Sequence, residues 1–101
     1  MLTTWPADGD ATAAARTLVD ERLAACVSVL EPMTSVYRWD GRVTEDRERQ
    51  LVIKTTAARG AAVEARLREL HPYDVPELLV LPIAGGGGEY LRWVQEQVTG
   101  I

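Results

Sequence analysis

Two β-favouring stretches on either side of Asp40-Gly41 set the strongest limit on how this chain can fold. The first runs from Ala25 to Trp39 and ends in Thr34-Ser35-Val36-Tyr37-Arg38-Trp39; the second runs from Arg42 to Thr55. Asp-Gly is a strong two-residue hairpin signal, because both turn positions must take φ > 0. Each limb holds about 14 residues, and at roughly 3.3 Å per residue it spans about 45 Å. A 101-residue globule has a radius of gyration of about 13 Å, equivalent to a sphere about 33 Å across. Glu31-Pro32 interrupts the first limb, and proline cannot donate to a ladder, so a bulge or bend is expected there. Even bent, the hairpin must carry Tyr37 and Trp39 past the core that anchors it. A free two-stranded ribbon is marginal in water. The hairpin therefore predicts an oligomer in which another copy of the chain supplies the cover.

The rest of the chain suffices for one domain. Its 47% hydrophobic and 26% charged residues are the balance of a folded globular protein. There are 11 Lys+Arg against 15 Asp+Glu, a net charge of −4. That leaves no basic surplus to neutralise phosphates, so no nucleic-acid partner is expected. The basic residues are interleaved with acids, as in Asp46-Arg47-Glu48-Arg49, which reads as a solvated charged segment. No apolar run reaches the roughly 18–20 residues that span a bilayer, so no membrane partner is expected either. Met1–Pro6 lacks the charged stretch and apolar core of a secretory leader, and one cysteine cannot form an intrachain disulfide. The expected compartment is the cytoplasm.

Periodicity supplies the remaining elements. Met1–Thr4 reads as a short strand, followed by a turn cluster from Pro6 to Asp10. Asp10 can cap a helix whose Ala11, Ala14, Ala15, Leu18, Val19 and Leu23 fall on one apolar stripe. A second helix is expected from Thr56 or a neighbour, with Val63, Leu67 and Leu70 inward and Pro72 as its stop. Glu77–Ile83 reads as a buried strand, and a last helix carries Tyr90, Leu91, Val94 and Val98, with Trp93 beside them, after the glycine run Gly85–Gly88. The order βαββαβ plus a terminal helix is the ferredoxin-like signature, an α+β fold with helices on one face of an antiparallel sheet. The long hairpin joins its second and third strands.

Few residues carry chemistry. His71 is the only histidine and sits in His71-Pro72-Tyr73-Asp74-Val75-Pro76-Glu77, where two prolines restrict the backbone. A histidine at a helix C-terminus is favoured by the dipole, so a structural role is one reading and a metal ligand the other. His71, Asp74 and Glu77 form a candidate N/O metal set suited to copper, nickel or zinc, chiefly through the imidazole. Cys26 lies in an apolar run, where free cysteine commonly packs as a small hydrophobe; a metal or redox role is the alternative. Lys54, with Tyr37 and Glu48, is a candidate lining for an anion pocket between subunits, against the alternative of a surface lysine. The glycine run has no following Lys-Ser/Thr and is not read as a phosphate loop. No nucleophile with its base is legible, so no enzyme is expected. Tyr37, Trp39 and Trp93 read as interface anchors.

Six motifs then fall in order: Leu23-Ala24-Ala25-Cys26-Val27; Ser35, Tyr37 and Trp39; Glu48 to Thr55; His71–Glu77; Leu81-Pro82-Ile83; and Tyr90-Leu91-Arg92-Trp93. Together they resemble the CutA divalent-cation tolerance family over essentially the whole chain. The resemblance implies a ferredoxin-like protomer and a homotrimer akin to the PII signalling proteins, with the long hairpins packed on neighbouring subunits. It also implies a cytoplasmic, non-enzymatic protein of copper and divalent-metal tolerance that binds copper. Copper sites assigned in bacterial members use a first-strand cysteine and two consecutive histidines. The positions resembling these are Thr3, Leu70 and His71, so His71 alone retains a ligand. Members usually carry several more strand residues before Leu2–Thr4, which implies a clipped first strand or a start farther upstream. Ser28 stands where asparagine is common. The alternative reading is a PII-like scaffold that binds a small anionic ligand in clefts between subunits.

Overall fold

A computed structural model describes residues 1–99. The strands are β1 (Leu2–Pro6), β2 (Cys26–Val29), β3 (Met33–Trp39) and β4 (Arg42–Lys54); the helices are α1 (Ala11–Asp20), α2 (Gly60–Leu70) and α3 (Gly88–Thr99). Strand β4 is the spine. Its C-terminal half pairs antiparallel with β1 on one side and β2 on the other, and its N-terminal half pairs with β3. The turn is as expected: Asp40 has φ 53° and Gly41 has φ 76°, values that glycine and aspartate adopt most readily.

The expected interruption at Pro32 is a bulge. Val29 stands opposite Leu51 and Met33 opposite Glu48, so Leu30–Pro32 face only Arg49 and Gln50. The Leu30 amide still donates to the Gln50 carbonyl at 2.9 Å. The protein measures 46 × 26 × 23 Å with a radius of gyration of 14.4 Å, longer than a sphere of this chain length would be. The hairpin supplies the excess, and Trp39 near its tip is 59% exposed.

Alternation along β4 places the core. Leu51 and Ile53 are buried on the face that α1 and α2 cover, together with Trp5, Leu18, Val63 and Leu67. The Asp10 side chain accepts from the Ala13 amide and starts α1, satisfying a donor that the first turn leaves free. A 3₁₀ turn over Ala57–Arg59 precedes α2, which ends at Leu70. His71 is extended (φ −75°, ψ 134°), because the following proline disfavours the helical conformation. Ala25, Val94 and Val98 form a separate small cluster under α3.

Three boundaries differ from the sequence reading. Helix α1 stops at Asp20, short of Leu23, and Val19 on its expected apolar stripe is exposed. Strand β1 extends through Trp5 to Pro6, which stands opposite Glu48 at the strand end, where a missing donor costs least. The largest difference concerns Glu77–Ile83, expected as a buried strand. It joins the sheet through an isolated bridge, Leu2 with Leu79, whose two amide–carbonyl bonds measure 2.9 and 3.1 Å. Beyond Val80 the register runs past Met1, and Val80, Leu81 and Ile83 are 66%, 57% and 69% exposed. Apolar composition cannot separate a strand covered by its own chain from one that is left uncovered.

Replacing Leu51 with alanine removes a fully buried side chain at the crossing of three strands. Such a change costs about 2–5 kcal/mol. The expected result is a lower urea midpoint at fixed protein concentration, with the slope of the transition unchanged.

Candidate functional site

The face of the sheet opposite the helices carries the chain's polar chemistry. Even-numbered residues of β4 line it, and their direct partners across each ladder share it. From one end these are Lys54 with Cys26, Val52 with Leu2 and Ser28, Gln50 with Thr4, Glu48 with Pro6 and Met33, Asp46 with Ser35, Thr44 with Tyr37, and Arg42 with Trp39.

At the Lys54 end the ammonium donates to Ser28 Oγ at 2.5 Å and lies 3.8 Å from Cys26 Sγ. Among the described residues no carboxylate is within ion-pair distance of Lys54. Ser28 is therefore the lysine's anchor, a role that its place beside an apolar run did not reveal. The terminal amine of Met1 donates to the Ile53 carbonyl at 2.7 Å. Partial burial, and then the nearby Lys54 charge, lower its pKa below the usual α-amino value.

In the middle of the face, Gln50 Nε2 donates to Glu77 Oε2 at 2.9 Å and to the Thr3 carbonyl at 2.8 Å. Next along the strand, Glu48 is buried under Tyr73, whose hydroxyl donates to its carboxylate at 2.9 Å. Desolvation, followed by this bond, raises the Tyr73 phenol well above its ordinary pKa. The Tyr73 amide donates to His71 Nδ1 at 3.1 Å, and His71 Nε2 lies 2.6 Å from the Thr4 carbonyl. The imidazole is held between Trp5 and Tyr73, with ring centroids 4.3 and 4.9 Å away. Farther out, the Tyr37 hydroxyl donates to Asp46, and that bond raises its pKa.

The sequence-derived groups are thus only partly brought together. Lys54, Glu48 and Tyr37 share the open face but are strung along it. Lys54 and Glu48 are six residues apart on β4, about 20 Å, and Thr44, the partner of Tyr37, is about 33 Å from Lys54. One small ligand cannot touch all three within one protomer. The proposed metal set is not assembled either. Asp74 is exposed, Glu77 is engaged by Gln50, and both His71 nitrogens have backbone partners. Cys26 sits beside the Lys54 ammonium, about 13 Å along β4 from the residue opposite Thr4. Among the described residues no three His, Cys, Asp or Glu side chains are grouped to hold a metal ion. Within one protomer, the residues present do not fit a copper site. Tyr37, Trp39 and Trp93 are all solvent-accessible, Trp93 being stacked on Tyr90 at 5.6 Å between centroids.

A one-sided antiparallel sheet, an over-long hairpin and an open polar face define an α+β protein with one uncovered sheet face. A family model described as CutA1 divalent ion tolerance protein matches residues 1–97. The divalent-cation tolerance protein CutA of Thermus thermophilus is 48% identical over 96 residues, covering 95% of this chain and 93% of its own. The crystal structure of CutA from Xylella fastidiosa matches with a TM-score of 0.92 at 41% identity, covering 96% of this chain and 93% of that one. A Nostoc structure described as PII-like protein CutA in apo form matches at 0.89 with 32% identity, over 96% and 93% of the two chains. This chain belongs to the CutA1 divalent ion tolerance family. No helix among the described residues is long and apolar enough to cross a membrane.

The buried imidazole makes stability depend on pH. Burial is the main influence on His71 and lowers its pKa; the Thr4 carbonyl and then Glu48 oppose it. The unfolded chain therefore binds a proton at higher pH than the folded one. The resulting stability is fully present above the unfolded histidine value of about 6.5 and declines as pH falls toward the lower folded value. Thermal melts from pH 7.5 to pH 5 are expected to show this loss. A His71→Gln variant should lack this histidine contribution to the slope.

Proposed function

We propose that the protein serves divalent-cation tolerance as a non-enzymatic cytoplasmic homotrimer whose recognition sites form where protomers meet. One observation carries this reading: large apolar side chains are left exposed along the hairpin and the 75–83 segment. Val36, Trp39 and Val43 on the hairpin, and Val75, Val80, Leu81 and Ile83 on the segment, all lie open to solvent. So many large apolar side chains left open to solvent point to an interaction surface, and the length of the hairpin makes a second copy its natural cover. A copper or other divalent-cation site in such an assembly draws its ligands from more than one protomer, since one protomer does not group them.

Sedimentation or light scattering is expected to give three times the protomer mass at about micromolar concentration; a single-protomer mass would refute the reading. Leu81→Asp places a charge on the exposed apolar segment and should shift the protein toward monomer. Cu(II) binding followed by calorimetry should be lost with the trimer.

Lys54 favours a second reading. Among the described residues its ammonium is held by a hydroxyl and no carboxylate, so it keeps an unneutralised charge available to a small anion in a cleft between subunits. Glu48 and Tyr37 of a neighbouring copy then complete the lining. A thermal-shift screen of inorganic phosphate, small carboxylates and nucleotides against divalent metals separates the two. Stabilisation by an anion, abolished in Lys54→Gln, together with no response to Cu(II), would favour the scaffold.

A further inference from the structure

The segment His71–Glu77 is the motif that the proposed function leaves unexplained. A neutral imidazole binds a divalent metal through a free ring nitrogen while the other nitrogen keeps its hydrogen. His71 has no free nitrogen. A carbonyl can only accept and a backbone amide can only donate. The Thr4 carbonyl at Nε2 and the Tyr73 amide at Nδ1 therefore fix one tautomer, with the hydrogen on Nε2 and the lone pair on Nδ1 occupied. Both partners are backbone groups, so turning the ring toward a metal would strand a buried carbonyl and an amide. Trp5 and Tyr73 also hold the ring from both sides.

We infer that His71 is a positioning residue and not a metal ligand: its neutral imidazole ties the segment after α2 to β1 and sets Tyr73 on Glu48. The connection runs from the Thr4 carbonyl on β1 through the imidazole to the Tyr73 amide, and then from the Tyr73 hydroxyl to Glu48 on β4. It passes from the strand edge to the open face, so His71 acts on that face only through Tyr73. The two ring contacts are separable by substitution. Glutamine can keep a donor near the Nε2 position but offers no acceptor at Nδ1, whereas asparagine keeps an acceptor near Nδ1 and offers no donor at Nε2. The inference holds whether or not the assembly is a trimer and whether or not it binds copper.

Nitrogen NMR of the intact protein tests it directly. The expected result is a single Nε2–H tautomer whose ring signals do not move on addition of Zn(II). Amide exchange at Tyr73 should accelerate about tenfold in H71Q, which loses the acceptor, and stay within about threefold of the parent in H71N. Cu(II) affinity, measured by calorimetry on the same samples, should stay within about twofold in both variants, well short of the tenfold that 1.4 kcal/mol represents. A Zn(II)-dependent shift of the His71 ring nitrogens, or a tenfold loss of Cu(II) affinity in both variants, would overturn the inference. Equal Tyr73 exchange in the parent and H71Q would overturn the positioning role. Should either variant fail to fold, the tautomer and its response to Zn(II) in the parent protein still decide the matter.

Discussion

The two-sided pairing of β4 is the constraint on which the rest of the structure depends. Leu51 has Thr3 on one flank and Val29 on the other, and Ile53 has Val27. A strand paired on both sides cannot slip without breaking two ladders. A one-residue slip would also turn Leu51 and Ile53 out of the core and Val52 and Lys54 into it. The parity set there runs the length of the strand, so the face carrying Lys54 also carries Gln50, Glu48 and Asp46. The bulge at Leu30–Pro32 then acts on the opposing limb. On β2 the even residues Cys26 and Ser28 face the open side; past the extra residue, the odd residues Ser35, Tyr37 and Trp39 do. Without the bulge, Val36 and Arg38 would take their places.

The open face is polar, but its groups are paired in advance. Tyr37 serves Asp46, Tyr73 serves Glu48, Gln50 serves Glu77, and Ser28 receives Lys54. Each carboxylate named here has a neutral donor. The lysine's hydroxyl partner is neutral too, so its formal charge, like those of the carboxylates, is not compensated by these bonds. That arrangement keeps acidic groups ordered on a sheet without making them a cation cage. A carboxylate already receiving a hydrogen bond from a phenol or amide can act as a metal ligand only through its remaining lone pairs.

Much of this was legible in the residues, and the failures share a cause. Asp40-Gly41, Pro32, the α1 stripe and the Pro72 stop are local signals. Each acts through backbone geometry or a short-range period, and each appears where expected. The α+β class follows from their order, and the PII-like comparison from the family resemblance. What sequence could not supply was long-range pairing of side chains. Ser28 looked inconsequential because its partner is 26 positions away. Tyr73 was legible as a residue fixed between prolines, yet nothing local announced Glu48 as the acceptor of its hydroxyl. His71 read as either a structural group at a helix end or a ligand, because a lone histidine between constrained residues carries no record of its backbone partners. Glu77–Ile83 suggested a buried strand because hydrophobicity records the need for cover but not which chain supplies it.

That distinction bears on the separation of Lys54 and Tyr37. Placed about 33 Å apart along one strand, they cannot act on a common small ligand within a protomer. A hairpin this long gains nothing for its own core, since Trp39, Val36 and Val43 remain exposed at its far end. Its length has a physical use only if the far end meets something that the near end cannot reach. In the proposed trimer that something is another copy of the chain. The exposed 75–83 segment leaves the sheet at Leu79, on the outer edge of β1, across that strand from β4, which bears Lys54. Apolar cover and polar recognition would then be completed by the same contact, and a substitution that breaks the one would be expected to remove the other.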